Sequence, residues 1–408
     1  RTREGAGQAR LGAQVFGALS QVVLLDALSD RALLGKVNSV PETTSGDPLS
    51  QSTLIYVAPR TGTSGVSDYA DDILTLAHEV FPRVIEVRCG GAGQDSFSDV
   101  RRGMREVQRA IRSSRGLVLL HTELSGGALL PFWALTLKDA RRPNVRRSST
   151  LHDAPLGVWL PFRSRGIGKS RLLVHAIHFP TMPLLQRFER RVLKGVRLSA
   201  LTESGARAIE YELRHEHVDV TFLPPPVKPE LEPPVERPLA VGLFGYVYRG
   251  KGFDSLAQLR LLIDPRITIR VAGRGTEQLD AEPGVDIVGP VEGADEDRFF
   301  ESVRAILMPY SKRSSYGPVT HVASSVLARS IAYGTPAMTI AYPGLANEAA
   351  VAASNLDALA EAVNDTLFDD QKLEAATRHT LEMRDELTLE VAFATLSQGW
   401  REALSTVE

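Results

Sequence analysis

The chain has 408 residues and a mass of 44.4 kDa, more than one hydrophobic core usually serves, so two domains of roughly 150 to 200 residues are expected. Hydrophobic residues at 43% and charged residues at 24% exclude a disordered or fibrous chain. A net charge of −2 leaves no basic field to recruit nucleic acid, and a single cysteine, Cys89, excludes a disulfide framework and a cysteine-built zinc site and suits a reducing cytoplasm.

In chain order, residues 5–37 read as a helical appendage with an apolar stripe (Val15, Leu19, Val22, Leu25, Leu33). Such a stripe can pack on its own chain, on a second subunit, or peripherally on the inner face of a membrane. Gln14, Gln21, Asp26, Asp30 and Arg31 interrupt it short of the ~18 apolar residues that a spanning helix needs. The N-terminus does not follow the order of a signal peptide. Pro41 to Ser52, rich in Ser, Thr, Pro and Gly, reads as a linker, so residues 1–52 form an appendage.

From Thr53 onward short apolar runs alternate with helical patterns, the signature of parallel α/β layers. The runs are Leu54–Ala58, Val84–Val87, Gly116–Leu120, Ser148–Leu151, Leu172–Ile177, Val196–Leu201 and Val218–Leu223. Helices are expected at Ser67–Val80, capped by Ser67 or Asp68, and at Arg101–Ile111 and Leu184–Leu193. Seven prolines between Pro224 and Pro238 then mark a stiff linker at 227–238. A second α/β series follows at Leu239–Phe244, Ile267–Ala272, Val285–Val288, Ala305–Pro309 and Pro336–Ile340, with closing helices around Gln371–Leu387 and Leu389–Ser405. The expected architecture is therefore two doubly wound parallel-sheet domains, 53–226 and 239–387, pointing their strand ends into a cleft.

Four turns at strand ends could do chemistry. In the first, Gly62 and Gly65 precede a helix, so that the backbone can approach an anion at the helix N-terminus. The second carries Gly245, Arg249 and Lys251, the donors a diphosphate wants. The third holds Gly273. The fourth runs from Met308 through Tyr310, followed by a helix that starts at Ser324 and Ser325 and ends with Gly334 at its C-cap.

In that order the turns resemble a GT-B glycosyltransferase, most similar to the large retaining family 4 that includes bacterial mannosyl- and glucosyltransferases. The resemblance rests on "GTSGVSDYADDIL", "LVLLHTELSGGALLPFWAL", "STLHDAP" and "LSALTESGARAI" in the first half. In the second half it rests on "LFGYVYRGKGFDSL", "VAGRG", "DIVGPV" and "ILMPY" with "SSVLARSIAYGTP". It covers roughly residues 53 to 345, and residues 388–408, with Trp400, would be the C-terminal return helix. It implies transfer of a hexosyl group from a nucleotide diphosphate sugar to a hydroxyl acceptor (a glycan, a lipid-linked sugar or a small molecule), with retention.

Carried over by residue, Gly65 would lie under the donor's phosphates or sugar, Lys251 would bind the diphosphate, and Ser324 and Ser325 would donate to phosphate or sugar. The arginine usual shortly before that lysine is absent: Gly245 and Tyr246 hold its place, and Arg249 would substitute. His121 matches a histidine near the reacting sugar, with His152 as the second catalytic candidate. Two glutamates found eight apart in much of the family are replaced by His321 and Arg329, which keeps open a catalytically silent GT-B binding or assembly subunit; the other alternative, a GT-B nucleotide-sugar epimerase, would need a set of carboxylates that the sequence does not locate.

No cofactor or metal is expected. Asp295, Glu296 and Asp297 imitate a metal motif, but acids also favour the start of a helix. Gly166 to Ser170 imitates a phosphate loop, yet Arg163 stands where its first glycine belongs, so a basic loop near the acceptor is expected. On a strand at Leu172–Phe179, His175 and His178 would fall on opposite faces.

Overall fold

The computed structural model describes residues 46–152, 162–213, 218–220, 237–247, 250–280, 282–310, 324–341 and 349–405. The appendage at 5–37 and the proline-rich stretch up to Glu236 lie outside the described residues.

The first sheet is built from β1 (Ser52–Pro59), β2 (Arg83–Cys89), β3 (Leu117–Leu124), β4 (Val145–Leu151), β5 (Arg197–Ala200) and β6 (Val218–Val220), in the order β2-β1-β3-β4-β5-β6. Its helices are α1 (Gly65–Val80), α2 (Phe97–Ser113), α3 (Leu129–Leu135), α4 (Arg171–Leu193) and α5 (Glu203–Leu213). The second sheet uses β7 (Ala240–Phe244), β8 (Thr268–Ala272), β9 (Val285–Gly289), β10 (Ala305–Met308), β11 (Ala337–Ile340) and β12 (Val351–Ala353), in the order β12-β11-β10-β7-β8-β9. With it come α6 (Leu256–Leu262), α7 (Ala294–Glu301), α8 (Ser325–Ala332), α9 (Leu356–Leu367), α10 (Asp370–Glu386) and α11 (Leu389–Ser405). Every strand pairing within the two sheets is parallel. Parallel strands need covered faces. Alternation on β1 sends Ile55 and Val57 into one core and Leu54, Tyr56 and Ala58 into the other.

α11 returns to the first sheet. Its Phe393, Leu396, Trp400 and Leu404 join the core that holds Tyr56, Tyr69 and Ile73. Arg401 clamps it further by pairing with the buried Asp47 carboxylate at 3.0 Å. Asp47 to Gln51, expected as linker, thus forms a docked segment with Leu49 fully buried.

One expected strand is a helix. Leu172–Ile177 opens α4, where Ser170 Oγ accepts from Leu173 N–H at 3.2 Å as the N-cap. His175 and His178 therefore lie on one side of a helix, not on opposite faces of a strand. Pro180 and Pro183 sit inside α4; both are exposed, as are Ala176 and Phe179, whose carbonyls the prolines leave without a helical donor. Water can serve those carbonyls, so the helix continues through a signal that reads as a break. Gly166 to Ser170, expected as a basic loop, holds a 3-10 turn at Ile167–Lys169 leading into α4. β12 and α9 were not among the expected elements, β12 because it has only three residues, two of them alanine.

Candidate active site

In each sheet the chain reverses direction once, between β1 and β3 in the first and between β7 and β10 in the second. Ligands of open parallel sheets bind beyond the carboxyl ends of the strands at such points. Here both reversal points face the same gap.

At the second sheet the turns after β7, β8 and β10 close on one another through glycine. Gly273 has φ 126°, and a Cβ there would fall 2.0 Å from the Gly245 carbonyl oxygen. Gly252 has φ 84°, and a Cβ there would fall 2.4 Å from the Pro309 oxygen. Neither position tolerates a side chain. This close fit delivers Lys251 to Tyr310: Nζ donates to the phenol oxygen at 2.7 Å and lies 4.2 Å from the ring centre. Tyr310 in turn stands 3.2 Å from the Ser324 hydroxyl, which caps α8 by accepting from Leu327 N–H. Burial pushes the Lys251 ammonium down to about 8, because the charged form loses water. Gly245, Lys251, Gly273, Tyr310, Ser324 and Ser325 are thereby brought together, whereas Arg249 and His321 lie outside the described residues.

Across the gap stands the turn after β1. A Cβ on Gly65 would lie 3.4 Å from Ser325 Cβ, so the start of α1 faces the start of α8. Gly62, at φ 72°, meets nothing within 4 Å and lines open space. The cap of α1 is Ser64, in a capping box with Ser67, one turn earlier than expected. The gap is also charged. Asp68 and Asp72 on α1 feel Arg329 of α8, and Asp68 feels Arg274 as well. Burial first, and Asp68 second, raise the Asp72 carboxyl to about 6.

Beneath the carboxyl end of the first sheet lies a closed polar network. Glu123 is fully buried and accepts from three sides: from the Tyr56 hydroxyl, from His121 Nε2 at 3.0 Å, and from His152 Nε2 at 2.6 Å. Burial alone would raise its carboxyl, but the hydrogen bonds donated by the two histidines outweigh that and hold it at about 2. Trp400 donates its indole N–H to His121 Nδ1 at 3.2 Å, and the Ser148 hydroxyl lies 2.8 Å from the same nitrogen. Indole is a donor only, so Nδ1 offers its lone pair and the His121 proton sits on Nε2, facing Glu123.

This corrects the position of His121. β3 runs three residues beyond it, to Leu124, and the imidazole is fully buried with both nitrogens engaged. The apolar run stops at Leu120, which on its own would put His121 at the strand end, but Thr122 and Glu123 continue the strand as buried polar residues. His152, which follows the last residue of β4 and keeps 9% exposure, is the histidine at the strand end. Glu123 went unnoticed in the sequence. The signal was its spacing of two from His121, which puts both on one face of a strand.

The acidic triplet opens α7, as acids at a helix start do. Asp295 pairs with Arg298, Glu296 with Arg329 at 2.5 Å, and Asp297 accepts from Tyr333 at 2.6 Å. Arg329, at a position where the resemblance expects a glutamate, is thus held by one of these acids.

No protein-family model matches the chain, and no curated protein sequence matches it. Its fold is similar to that of solved structures. Anabaena Alr3699/HepE in complex with UDP and glucose is 14% identical over 86% of this chain and 99% of that one, with a TM-score of 0.57. The same protein in complex with UDP-glucose is 13% identical over 86% and 99%, at 0.56. A mutant of S. aureus TarM in complex with Fondaparinux, alpha-GlcNAc-glycerol and UDP is 10% identical over 74% of this chain and 58% of that one, at 0.51. At such identities the likeness is one of fold, and that fold is GT-B: two Rossmann-like parallel sheets with their strand ends turned to one gap.

Proposed function

We propose that the chain is a glycosyltransferase that moves a hexosyl group from a nucleotide diphosphate sugar to a hydroxyl acceptor, with retention. The observation that carries the reading is the Lys251–Tyr310–Ser324 chain at the reversal point of the second sheet, directly opposite Gly65. The departing diphosphate gains negative charge as the glycosidic bond breaks, and catalysis requires that charge to be met by fixed donors. Lys251, the serine hydroxyls and the backbone of the first turn of α8 can meet it without a metal.

In this reading the second sheet takes the donor and the first takes the acceptor. His152 is the histidine that touches the reacting sugar or acceptor. Glu123 holds its Nε2–H, which leaves Nδ1 as the nitrogen for substrate, and His121 stands behind as a positioning residue. Uridine diphosphate sugars are the first donors to try, since the Anabaena protein of like fold was solved with UDP-glucose.

A thermal-shift screen with UDP, GDP, ADP and dTDP sugars tests the donor, because ligand binding to the native state raises the melting temperature. Release of nucleoside diphosphate on adding acceptor tests the transfer. A donor that stabilises the protein without turnover would favour the silent binding subunit, the reading to which Arg329 in place of a glutamate lends support.

A further inference from the structure

Far from Lys251 in sequence, α4 carries a face that the glycosyl-transfer reading does not use. Among its exposed residues are Leu172 (84% exposed), Leu184 (66%) and Phe179 (54%), with Leu173, Ala176, Pro180 and Pro183 also open to solvent. At 100° per residue these fall on one side of the helix, an apolar strip about 18 Å long between Leu172 and Leu184. Solitary surface leucines are ordinary, but a contiguous apolar strip marks a surface that meets something.

The charges say what it meets. Residues 162–194 contain eight basic side chains and one acid. The acid, Glu189, is buried on the opposite side of α4. Arg165 and Lys169 stand exposed before the strip, and Arg187, Arg191 and Lys194 stand exposed beyond it on the same side. An apolar band bracketed at both ends by cations, with no exposed acid on the helix, fits a plane of anionic headgroups over acyl chains. It does not suit a second copy of the same face, since either direction of helix pairing would set cations against cations. Nor can α4 pass through the bilayer: no helix among the described residues is long and apolar enough to cross a membrane.

We propose that the exposed face of α4 docks the protein peripherally on an anionic lipid surface, with the Leu172–Leu184 strip entering the headgroup region. This assigns membrane contact to α4, independently of residues 5–37 and of the donor chemistry.

Vesicle co-sedimentation of the full chain tests it, with phosphatidylcholine alone against phosphatidylcholine containing phosphatidylglycerol, at low and at high salt. The wild type should bind the anionic vesicles and release them as salt rises. The triple variant Leu172→Glu, Phe179→Glu, Leu184→Glu should lose at least ~10-fold in partitioning while keeping its melting temperature and its nucleotide binding, since all three side chains are exposed. Arg187→Ala with Arg191→Ala should weaken binding less, and only at low salt. Failure of the wild type to bind phosphatidylglycerol vesicles, or equal binding by the triple variant, overturns the assignment. So does a wild-type dimer in sedimentation velocity that the triple variant dissolves, because the face would then belong to a second copy.

Discussion

At the carboxyl end of the first sheet the polar side chains are buried and satisfied by one another, whereas at the mouth of the second sheet the groups that face the gap are backbone turns, hydroxyls and one partly buried lysine. Glu123 has three hydrogen-bond donors around it and the return helix seals the set through Trp400. Lys251 has a tyrosine hydroxyl and a loss of water that lowers its affinity for protons. The first arrangement fixes a geometry through its own hydrogen bonds; the second leaves a cation that has lost part of its water beside open backbone turns. The two regions should therefore fail differently: the first by losing the fold, the second by losing affinity.

Glu123→Ala is expected to have the largest effect. It strands the Tyr56 hydroxyl and two histidines in the interior, and breaking a buried pair from one side costs about 3–5 kcal/mol. Chemical denaturation should show that loss. Acid titration sharpens it. The folded carboxyl sits at about 2, below its ordinary 4.5. The stabilisation is thus complete above 4.5 and disappears as the pH falls toward 2. Glu123→Gln should flatten the wild-type stability curve in that window alone. An unchanged acid limb would mean that Glu123 does not carry the network.

Much of this contrast was legible in the sequence, and unevenly so. The second sheet's mouth was, because positive-φ turns write themselves as glycine: Gly245, Gly252 and Gly273 mark where strands end and backbones meet. The apolar runs located both sheets for the reason that parallel strands are covered on two faces. The first sheet's network was not. His121, Glu123, Ser148 and His152 converge only when the register pairs His121 with Ser148 and brings His152 back to Leu124. Trp400 joins from a helix 279 residues away. No local pattern encodes such a contact. α4 differs for an opposite reason: its start is a short apolar run that also suits a strand, and Pro180 and Pro183 are a local signal of a break that solvent exposure overrides.

Lys251→Ala should come next. A charge-assisted hydrogen bond contributes about 1.5–3 kcal/mol, so nucleoside diphosphate affinity should fall roughly 10- to 150-fold while the bare nucleoside binds as before. The wild type should also lose diphosphate affinity as pH rises through about 8, where the lysine gives up its proton, and the variant should not show that step. Calorimetry on both ligands decides it. Equal losses for nucleoside and diphosphate would place Lys251 in the support of the fold and erase the contrast drawn above.

Trp400→Phe probes how the return helix contributes. Phenylalanine keeps the ring against Phe81 and Phe393 but removes the N–H that His121 Nδ1 accepts. A loss of about 1 kcal/mol is expected, the net worth of one hydrogen bond. In ¹⁵N spectra of the imidazoles, His121 should depart from the single Nε2-protonated tautomer. A stability loss with the tautomer unchanged would leave Ser148 as the group that sets it.

The smallest effect belongs to the gap between the regions, at Asp72. Its folded carboxyl lies at about 6, above the ordinary 3.8, first through burial, then through Asp68, and against the pull of Arg329. Between those values the native state binds more proton than the unfolded chain, so stability falls as pH rises from about 4 to 6, and the whole deficit is present above 6. Asparagine never ionises and escapes that deficit. Asp72→Asn should therefore match the wild type at pH 3.5 and exceed it at pH 7.5, by a few tenths of a kcal/mol once solvent screening at this partly exposed site is allowed for. Arg329→Ala should widen the gap between the two pH values in the wild-type background, since it removes the attraction that holds Asp72 down. If Asp72→Asn stabilises equally at both pH values, the gain comes from the packing of α1, and the charges facing each other across the two sheets have no part in it.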